Sequence, residues 1–213
     1  MEKIASSLKN MIIVLFVITF VSGLSLAYVK QITLDPIAKA QEQKQIDAIA
    51  IVLPAFDNNP LETAQEIVSP QYKGEKMMVY TAINKGDTVG YAILSSTNSG
   101  FGGKVEVMVG FNPDGTIYNT AVVSHQETPG LGDKMTGDKF RSQFKGFDCN
   151  TKKAIVKKDG GDVDALTAAT ISSRAFCSTI RHAYKVFCSI TGKKATDADA
   201  QTSATQTVTN VKK

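Results

Sequence analysis

Hydroxyl groups and small side chains are concentrated in the segment DALTAATISS, residues 164–173. The segment contains Asp164, Thr167 and Thr170, and it precedes an amphipathic pattern that predicts a helix over 171–190. A helix N-terminus presents free backbone N–H groups that bind anions, phosphate in particular, and the two alanines before Thr170 would let a ligand approach the backbone. The same residues also suit an ordinary N-cap, in which a hydroxyl satisfies the first turn. The segment alone therefore leaves a phosphate site and a structural cap as alternatives.

A second segment, HQETPGLGDK at 125–134, has the composition of a stiff, close-fitting loop. Pro129 stiffens the turn, and Gly130 and Gly132 on either side of Leu131 would let the backbone lie flat against a planar group. Leu131 would then offer that group an apolar contact. The alternative is a tight strand-to-helix connection in which the glycines serve only backbone conformations with positive φ.

Motifs for nucleophilic catalysis and nucleotide hydrolysis are absent from the sequence. It has no G-x-S-x-G elbow, no Walker A motif and no G-x-G-x-x-G, and S-x-x-K occurs at 142–145 but also at 6–9, before the apolar segment. The two histidines are His125, interpreted as a solvated residue at a strand end, and His182, predicted to lie on the surface among charged residues. A hydrolase needs a nucleophile and a base in contact, and no motif supports that pair.

Charge and cysteine content exclude further classes of function. The net charge of +4 is spread along the 213 residues, so the sequence predicts no nucleic-acid partner. The three cysteines, Cys149, Cys177 and Cys188, include no C-x-x-C pair, which argues against zinc and iron–sulfur sites. Cys177 and Cys188 would lie about 16 Å apart along one helix, too far for a disulfide. The cysteines are therefore predicted to be small core residues, and no metal site is expected.

The N-terminal region contains an uncharged stretch, residues 10–29, that is rich in Ile, Val, Leu and Phe. Roughly 20 residues at about 1.5 Å each cross the hydrocarbon layer of a bilayer, so we predict one transmembrane anchor. A cleaved signal peptide is the alternative, because Ser25 and Ala27 are small and correctly spaced for a signal peptidase. Lysines lie on both sides of the stretch, so charge leaves the orientation open.

The remaining chain reads as helices around an antiparallel sheet. Asp35 and Pro36 predict a helix start, with the helix running to about Leu53 before Pro54. NKGDT and NPDG are turn sequences between alternating apolar runs. The predicted elements are strands at 76–83, 89–96, 104–111 and 116–125, a short helix burying Phe140, Phe144 and Phe147, and a final helix ending at Gly192.

Three segments in this order, GFGGKVEVMVGFNPDGTI (100–117), HQETPGLGDK and DALTAATISS, resemble the FMN-binding domain family, and within it the G subunits of Rnf electron transport complexes. The resemblance, with the N-terminal span, covers residues 1–192. The flavinylation signature of the family is Asp-x-x-Ser/Thr-Gly-Ala-Thr. It matches Asp164, Thr167, Ala169 and Thr170 here, with Ala168 where glycine is usual.

The resemblance implies a covalent cofactor. In the family the last threonine of the signature, here Thr170, is joined to FMN through a phosphoester bond by a separate flavin transferase. The threonine is then a tether without acid–base function, and Ser172 and Ser173 are expected to donate to the phosphate. The expected FMN-binding residues are Asp164, Thr167, Ala169, Thr170, Ile171, Ser172, Ser173, Glu127, Thr128, Gly130, Leu131 and Gly132, and no catalytic residue is expected.

The implied fold is α+β, an antiparallel sheet with flanking helices preceded by one transmembrane helix. We expect a cytoplasmic N-terminus over 1–9, the anchor over 10–29, a helical connector over 30–70, the FMN-binding domain over 71–192 and a disordered tail over 193–213. The family places the flavin domain on the periplasmic or outer side of the cytoplasmic membrane.

The implied function is electron carriage between redox centres of a membrane complex that moves ions, with the other membrane subunits as partners. The chain is expected to act within a translocase-type complex and not to be catalytic alone. One alternative is the C subunit of a sodium-translocating NADH:quinone reductase, which shares the anchor and the signature. Another is an anchored extracytoplasmic binding module without a redox role.

Overall fold

The structure, a computed structural model, describes residues 8–69 and 75–193. The chain divides into two units between Lys44 and Gln45. Most of the expected cytoplasmic segment 1–9, and of the tail expected to be disordered at 193–213, lies outside the described residues. The second unit begins at Gln45 and contains the whole of the expected FMN-binding domain, 71–192.

The first element is one continuous helix, α1, over Leu8–Val52. The predicted helix start at Asp35 is wrong, because Pro36 lies inside α1. Proline removes one hydrogen bond from a helix, but the good helix formers that follow it allow the helix to continue. By length and composition α1 could cross a membrane, and its most apolar stretch is not buried against the rest of the protein.

Within the expected helical connector, 30–70, the helix ends close to the residue predicted, Leu53 before Pro54. The helix ends at Val52, an irregular segment follows, and a strand, β1, forms over Gln65–Ser69. Strand β1 was not predicted from the sequence.

Five antiparallel strands form one sheet in the order in which they occur along the chain. After β1 these are β2 (Glu75–Asn84), β3 (Asp87–Thr97), β4 (Val105–Phe111) and β5 (Ile117–His125). The last four confirm the predicted strands to within a few residues, and the predicted NKGDT turn contains Lys85 and Gly86 with φ of 53° and 91°. This pair of positive φ angles matches the tight turn that joins twisted strands.

The sheet has a core on each face. One face packs against the final helix, α3 (Thr170–Thr191), and against short helical turns between β5 and α3. The opposite face packs against the end of α1, where Ala48, Ile49 and Val52 are buried. Strand β4 contributes to both cores, and six of its seven residues are buried.

The end of α1 lies very close to β4. A Cβ atom placed on Gly110 would lie 1.7 Å from the Val52 carbonyl oxygen, so only glycine fits there. Asn119 on β5 donates from Nδ2 to the Ile51 carbonyl oxygen at 3.0 Å, which satisfies one of the carbonyls left free at the helix end. The two contacts fix the last turn of α1 on the sheet.

Helix α3 confirms the predicted apolar stripe, since Phe176, Ile180, Ala183 and Phe187 are buried. It ends at Thr191, and the following Gly192, with φ of 70°, is the expected C-terminal stop. Before α3, a one-turn helix, α2 (Asp138–Arg141), carries Phe140, and a short 3-10 helix (Ser142–Phe144) carries Phe144. Phe147 follows both helices, so the three phenylalanines are buried as predicted but do not lie on one short helix.

The three cysteines are buried and none forms a disulfide, as predicted. Burial raises the pKa of the Cys177 thiol to about 12, so Cys177 is present as the neutral thiol at neutral pH.

The expected surface position of His182 is wrong, because α3 places it half-buried against the sheet. Desolvation, and then the nearby charges of Arg181 and Lys185, lower its pKa to about 4. The unfolded chain, with a histidine pKa near the ordinary value of about 6.5, binds this proton at higher pH than the folded chain. The neutral imidazole therefore stabilises the fold above pH 6.5, and this stability is lost as pH falls toward 4.

We expect the free energy of unfolding, measured by urea titration, to fall less steeply between pH 6.5 and 4 in His182→Gln than in the wild-type protein. Equal slopes for the two proteins would contradict the lowered pKa of His182.

Candidate functional site

A pocket of about 330 Å³ lies at the N-terminus of α3. Residues from all three segments singled out in the sequence come together there. Its lining consists of Phe101, Glu127, Thr128, Leu131, Gly132, Ala168, Ala169, Thr170, Ile171 and Ser172.

The first turn of α3 has no side-chain cap. Ala169 occupies the N-cap position, and Thr170, the first helical residue, is half-buried. The first N–H groups of an α-helix have no carbonyl partner within the helix, and together with the helix dipole they favour an anion. Of the two alternatives left open by the sequence, the side-chain cap does not form, and the geometry suits a phosphate beside Thr170.

The backbone turns into α3 through an unusual conformation at Ala168, whose φ is 61°. This left-handed region favours glycine, since a Cβ atom there crowds the following carbonyl. The structure therefore gives the physical reason for the glycine that is usual at this place in the signature.

Replacing Ala168 by glycine is expected to stabilise the protein by about 0.5–1 kcal/mol, because relief of the left-handed strain exceeds the added freedom of the unfolded chain. Ala168 is exposed, so its methyl group contributes little packing. Urea unfolding measures the change. The control is Ala165→Gly, at an exposed neighbour without positive φ, which should lose stability. A lower urea midpoint for Ala168→Gly would contradict the strain.

The two serines expected to donate to phosphate direct their hydroxyl groups elsewhere. Ser172 Oγ donates to Glu127 Oε2 at 2.8 Å, and Ser173 Oγ donates to the Ala169 carbonyl oxygen at 3.0 Å. Ser173 Oγ also accepts from the Leu166 N–H at 2.9 Å. In this arrangement, the first turn of α3 offers a phosphate its backbone N–H groups and not these two hydroxyls.

The glycines of the 125–134 loop have different functions. Gly130 has φ of 77° with open space around it, so it serves the turn. A Cβ atom on Gly132 would lie 2.5 Å from both Glu127 Oε2 and Ser172 Oγ, so this glycine allows the loop to pack against the start of α3. The loop is thereby held tightly against the helix while Leu131 stays 42% exposed.

Apolar side chains surround the pocket and remain accessible. Phe101 is 70% exposed, Ile171 46% and Leu131 42%. Exposed apolar groups around a concave site are typical of a surface that binds an apolar or aromatic ligand. Phe101 was not among the residues predicted from the sequence to bind FMN. Its position as an aromatic residue between glycines in SGFGGK was the signal that could have indicated it.

Four predicted site residues, Asp164, Thr167, Gly130 and Ser173, are not part of the pocket lining. Thr167 is exposed. Asp164 is exposed as well and pairs through Oδ2 with Lys157 Nζ at 2.8 Å. Its backbone is held by the Gln143 side chain, which accepts from its N–H at 2.9 Å and donates to its carbonyl at 3.2 Å. The structure thus places Asp164 and Thr167 on the outer surface before α3.

Comparison with known proteins agrees with this geometry. The model of the family described as FMN-binding domain matches residues 100–185, which include all three segments. The G subunit of the ion-translocating oxidoreductase complex of Shewanella piezotolerans is 32% identical over 194 residues, which are 85% of this chain and 90% of the relative. The chain belongs to this G-subunit family.

Other members of the G-subunit family are similarly related. The G subunit of the Na(+)-translocating ferredoxin:NAD(+) oxidoreductase complex of Acetobacterium woodii is 31% identical and covers 82% of this chain and 89% of its own length. The G subunit of the proton-translocating ferredoxin:NAD(+) oxidoreductase complex of Clostridium ljungdahlii is 30% identical with the same coverage of both chains. Membership in the G-subunit family replaces the alternative of a reductase C subunit.

Two solved structures are similar to part of this member of the G-subunit family. One is the C subunit of the Na(+)-translocating NADH-quinone reductase from Parabacteroides distasonis, with a TM-score of 0.48 and 20% identity, covering 68% of this chain and 80% of that chain. The other is NqrC from Shewanella oneidensis, with a TM-score of 0.45 and 25% identity, covering 59% of this chain and 64% of that chain.

Proposed function

We propose that this chain carries electrons in a membrane-bound, ion-translocating oxidoreductase complex and holds FMN through a phosphoester bond to Thr170 Oγ1. The observation that carries the proposal is the uncapped start of α3, which places a half-buried threonine in a pocket with exposed apolar side chains. Bound FMN supplies the electron-transfer chemistry, while the protein supplies attachment, orientation and electrostatics.

Under this proposal, the residues of the pocket have two functions, phosphate binding and contact with the ring system. Backbone N–H groups of the first turn of α3 stabilise the phosphate beside Thr170. Leu131 and Ile171 offer apolar surface to the ring system. Thr128 and Ala169 line the same pocket, and the small side chain of Ala169 lets the phosphate come close to the backbone.

Attachment requires a flavin transferase as partner. As Thr170 Oγ1 bonds to phosphorus, the bond from phosphorus to the leaving group of an activated flavin donor breaks, and the hydroxyl proton passes to a base of the transferase. The residues that line the pocket include one carboxylate, Glu127, and its two oxygens already accept hydrogen bonds from Phe101 and Ser172. This arrangement supports a tether function for Thr170, with catalysis of attachment by the transferase.

The apolar part of α1 is proposed to anchor the chain in the cytoplasmic membrane, with the flavin domain on the extracytoplasmic side and residues 1–9 in the cytoplasm. The exposed apolar side chains over 10–29 and the ion-translocating complexes named for the relatives support this. The other membrane subunits of such an assembly are the proposed partners. Protease added outside intact spheroplasts should digest the flavin domain, and full protection would contradict this orientation.

The test of the proposal is to produce the full-length chain with a flavin transferase and to look for flavin fluorescence that survives denaturation. Cleavage after Lys158 and Arg174 releases the peptide 159–174, which contains the hydroxyls of Thr167, Thr170, Ser172 and Ser173. Fragmentation of this peptide should place the mass of FMN minus water on Thr170. A denatured band without fluorescence, with active transferase present, would contradict the proposal.

A further inference from the structure

The Glu127 carboxylate joins three parts of the pocket wall. Its side chain is 5% exposed, and each of its oxygens receives a hydrogen bond from a different segment. Oε1 accepts from the Phe101 N–H at 2.8 Å, and Oε2 accepts from Ser172 Oγ at 2.8 Å. One buried carboxylate therefore connects its own loop with the loop after β3 and with the first turn of α3.

Two glycines lie close against the carboxylate oxygens of Glu127. A Cβ atom on Gly100 would lie 2.5 Å from Glu127 Oε1, and one on Gly132 would lie 2.5 Å from Oε2. The two glycines enclose the carboxylate from opposite loops. The hydrogen bonds of Glu127 thus fix the distance between these loops.

The backbone of the loop that carries Phe101 is held by hydrogen bonds, although the Phe101 side chain is exposed. Gly100 and Gly103 exchange backbone hydrogen bonds of 3.1 and 3.4 Å around Phe101. The N–H of Phe101 itself is bound to Glu127. A large aromatic side chain that is 70% exposed on a fixed backbone, in the wall of an apolar pocket, is placed for contact with a ligand.

We propose that Glu127 is a positioning residue that holds Phe101 at the mouth of the pocket, where the Phe101 ring packs on the ring system of bound FMN and shields it from water. This inference rests on the proposed function. It adds Phe101 as an FMN contact. Glu127, which was expected to bind FMN directly, instead holds Phe101 in position.

Two substitutions of Glu127 distinguish the effect of its hydrogen bonds from the effect of its negative charge. In Glu127→Gln, the amide oxygen accepts from the Phe101 N–H and the amide N–H₂ donates to Ser172 Oγ, so both connections persist. In Glu127→Ala, both connections are lost, and the Phe101 N–H and Ser172 Oγ lose this partner. The glutamine variant should therefore keep the Phe101 loop in place, and the alanine variant should release it.

The experiment measures how strongly iodide quenches the fluorescence of covalent flavin in the full-length protein, purified in detergent after flavinylation. We expect the quenching constant to rise roughly twofold in Phe101→Ala, since one face of the ring system loses its aromatic cover. Glu127→Ala should show the same rise and Glu127→Gln the wild-type constant. Tyr118→Ala is the matched control, because Tyr118 is a 42% exposed aromatic residue outside the pocket lining.

Amide hydrogen exchange supplies a second measurement that needs no flavin. In unflavinylated protein, the Phe101 N–H should lose protection in Glu127→Ala and keep it in Glu127→Gln. Because Phe101 is exposed, Phe101→Ala keeps the shielding testable even if Glu127→Ala does not fold.

The outcomes separate this inference from the proposed function. Wild-type protein without covalent flavin would contradict the proposed function. Flavin present on Phe101→Ala with an unchanged quenching constant would overturn the shielding by Phe101. Quenching in Glu127→Gln as strong as in Glu127→Ala, or unchanged exchange of the Phe101 N–H in Glu127→Ala, would overturn the positioning by Glu127.

Discussion

Thr170→Ala is expected to abolish covalent flavin attachment, leaving the denatured band at background fluorescence. The reason is geometric, because among the described residues no other hydroxyl shares the position of Thr170 at the uncapped start of α3. Ser172 and Ser173 are buried and donate to other acceptors, and Thr167 lies outside the pocket lining. Loss of the Thr170 hydroxyl therefore removes the acceptor of the phosphoryl group.

Two variants sharpen this result. Thr170→Ser keeps a hydroxyl on the same backbone position and should retain attachment, at a lower yield because serine has more rotamer freedom than threonine. Thr128→Ala removes a different hydroxyl from the pocket and should leave the covalent flavin in place. Fluorescence that persists in Thr170→Ala, or vanishes only in Thr128→Ala, would move the attachment site elsewhere.

Gly110→Ala is expected to cause a large loss of stability, about 3–4 kcal/mol or more in the free energy of unfolding. The added methyl group would lie 1.7 Å from the Val52 carbonyl oxygen and 2.6 Å from its carbonyl carbon. Both are backbone atoms, so the contact is relieved only if the end of α1 moves away from β4. That movement would also strain the hydrogen bond from Asn119 to the Ile51 carbonyl.

Urea unfolding of the detergent-solubilised full-length chain measures this loss. Gly146→Ala is the matched control, because Gly146 has φ of 67° with nothing within 4 Å of an added Cβ atom. It should cost only about 1 kcal/mol, from backbone conformation alone. A similar urea midpoint for the two variants would show that the close approach of Val52 to Gly110 does not make an added methyl group at residue 110 especially destabilising.

Much of the fold could be predicted because local patterns and tertiary packing agree. The four strands from β2 to β5 alternate around strong turn sequences, and α3 combines a continuous apolar stripe with Gly192. The errors in the predicted fold arise where local patterns and tertiary packing disagree. Pro36 is a strong local signal for a helix start, yet α1 continues through it, and β1 becomes a strand only through pairing with β2.

The site, too, could be predicted where its pattern is local in the sequence, and not where it depends on contacts between distant residues. The signature directed attention to the start of α3, where the pocket lies. The sequence could not show that Ser172 and Ser173 would be used within the protein, since their acceptors are Glu127, 45 residues away, and a backbone carbonyl of the preceding turn. Contact between Glu127 and Phe101 likewise joins two loops across the end of the sheet, and no local pattern encodes it.

The three buried thiols give the flavin domain a built-in reporter of its own local opening. A thiol in the closed core is hidden from a maleimide reagent, and the high pKa of Cys177 keeps it in the unreactive form. Labelling then requires transient opening of the core, so the labelling rate measures how often the core opens. Because the three cysteines form no bond that has to be reduced first, this rate can be measured on the untreated protein.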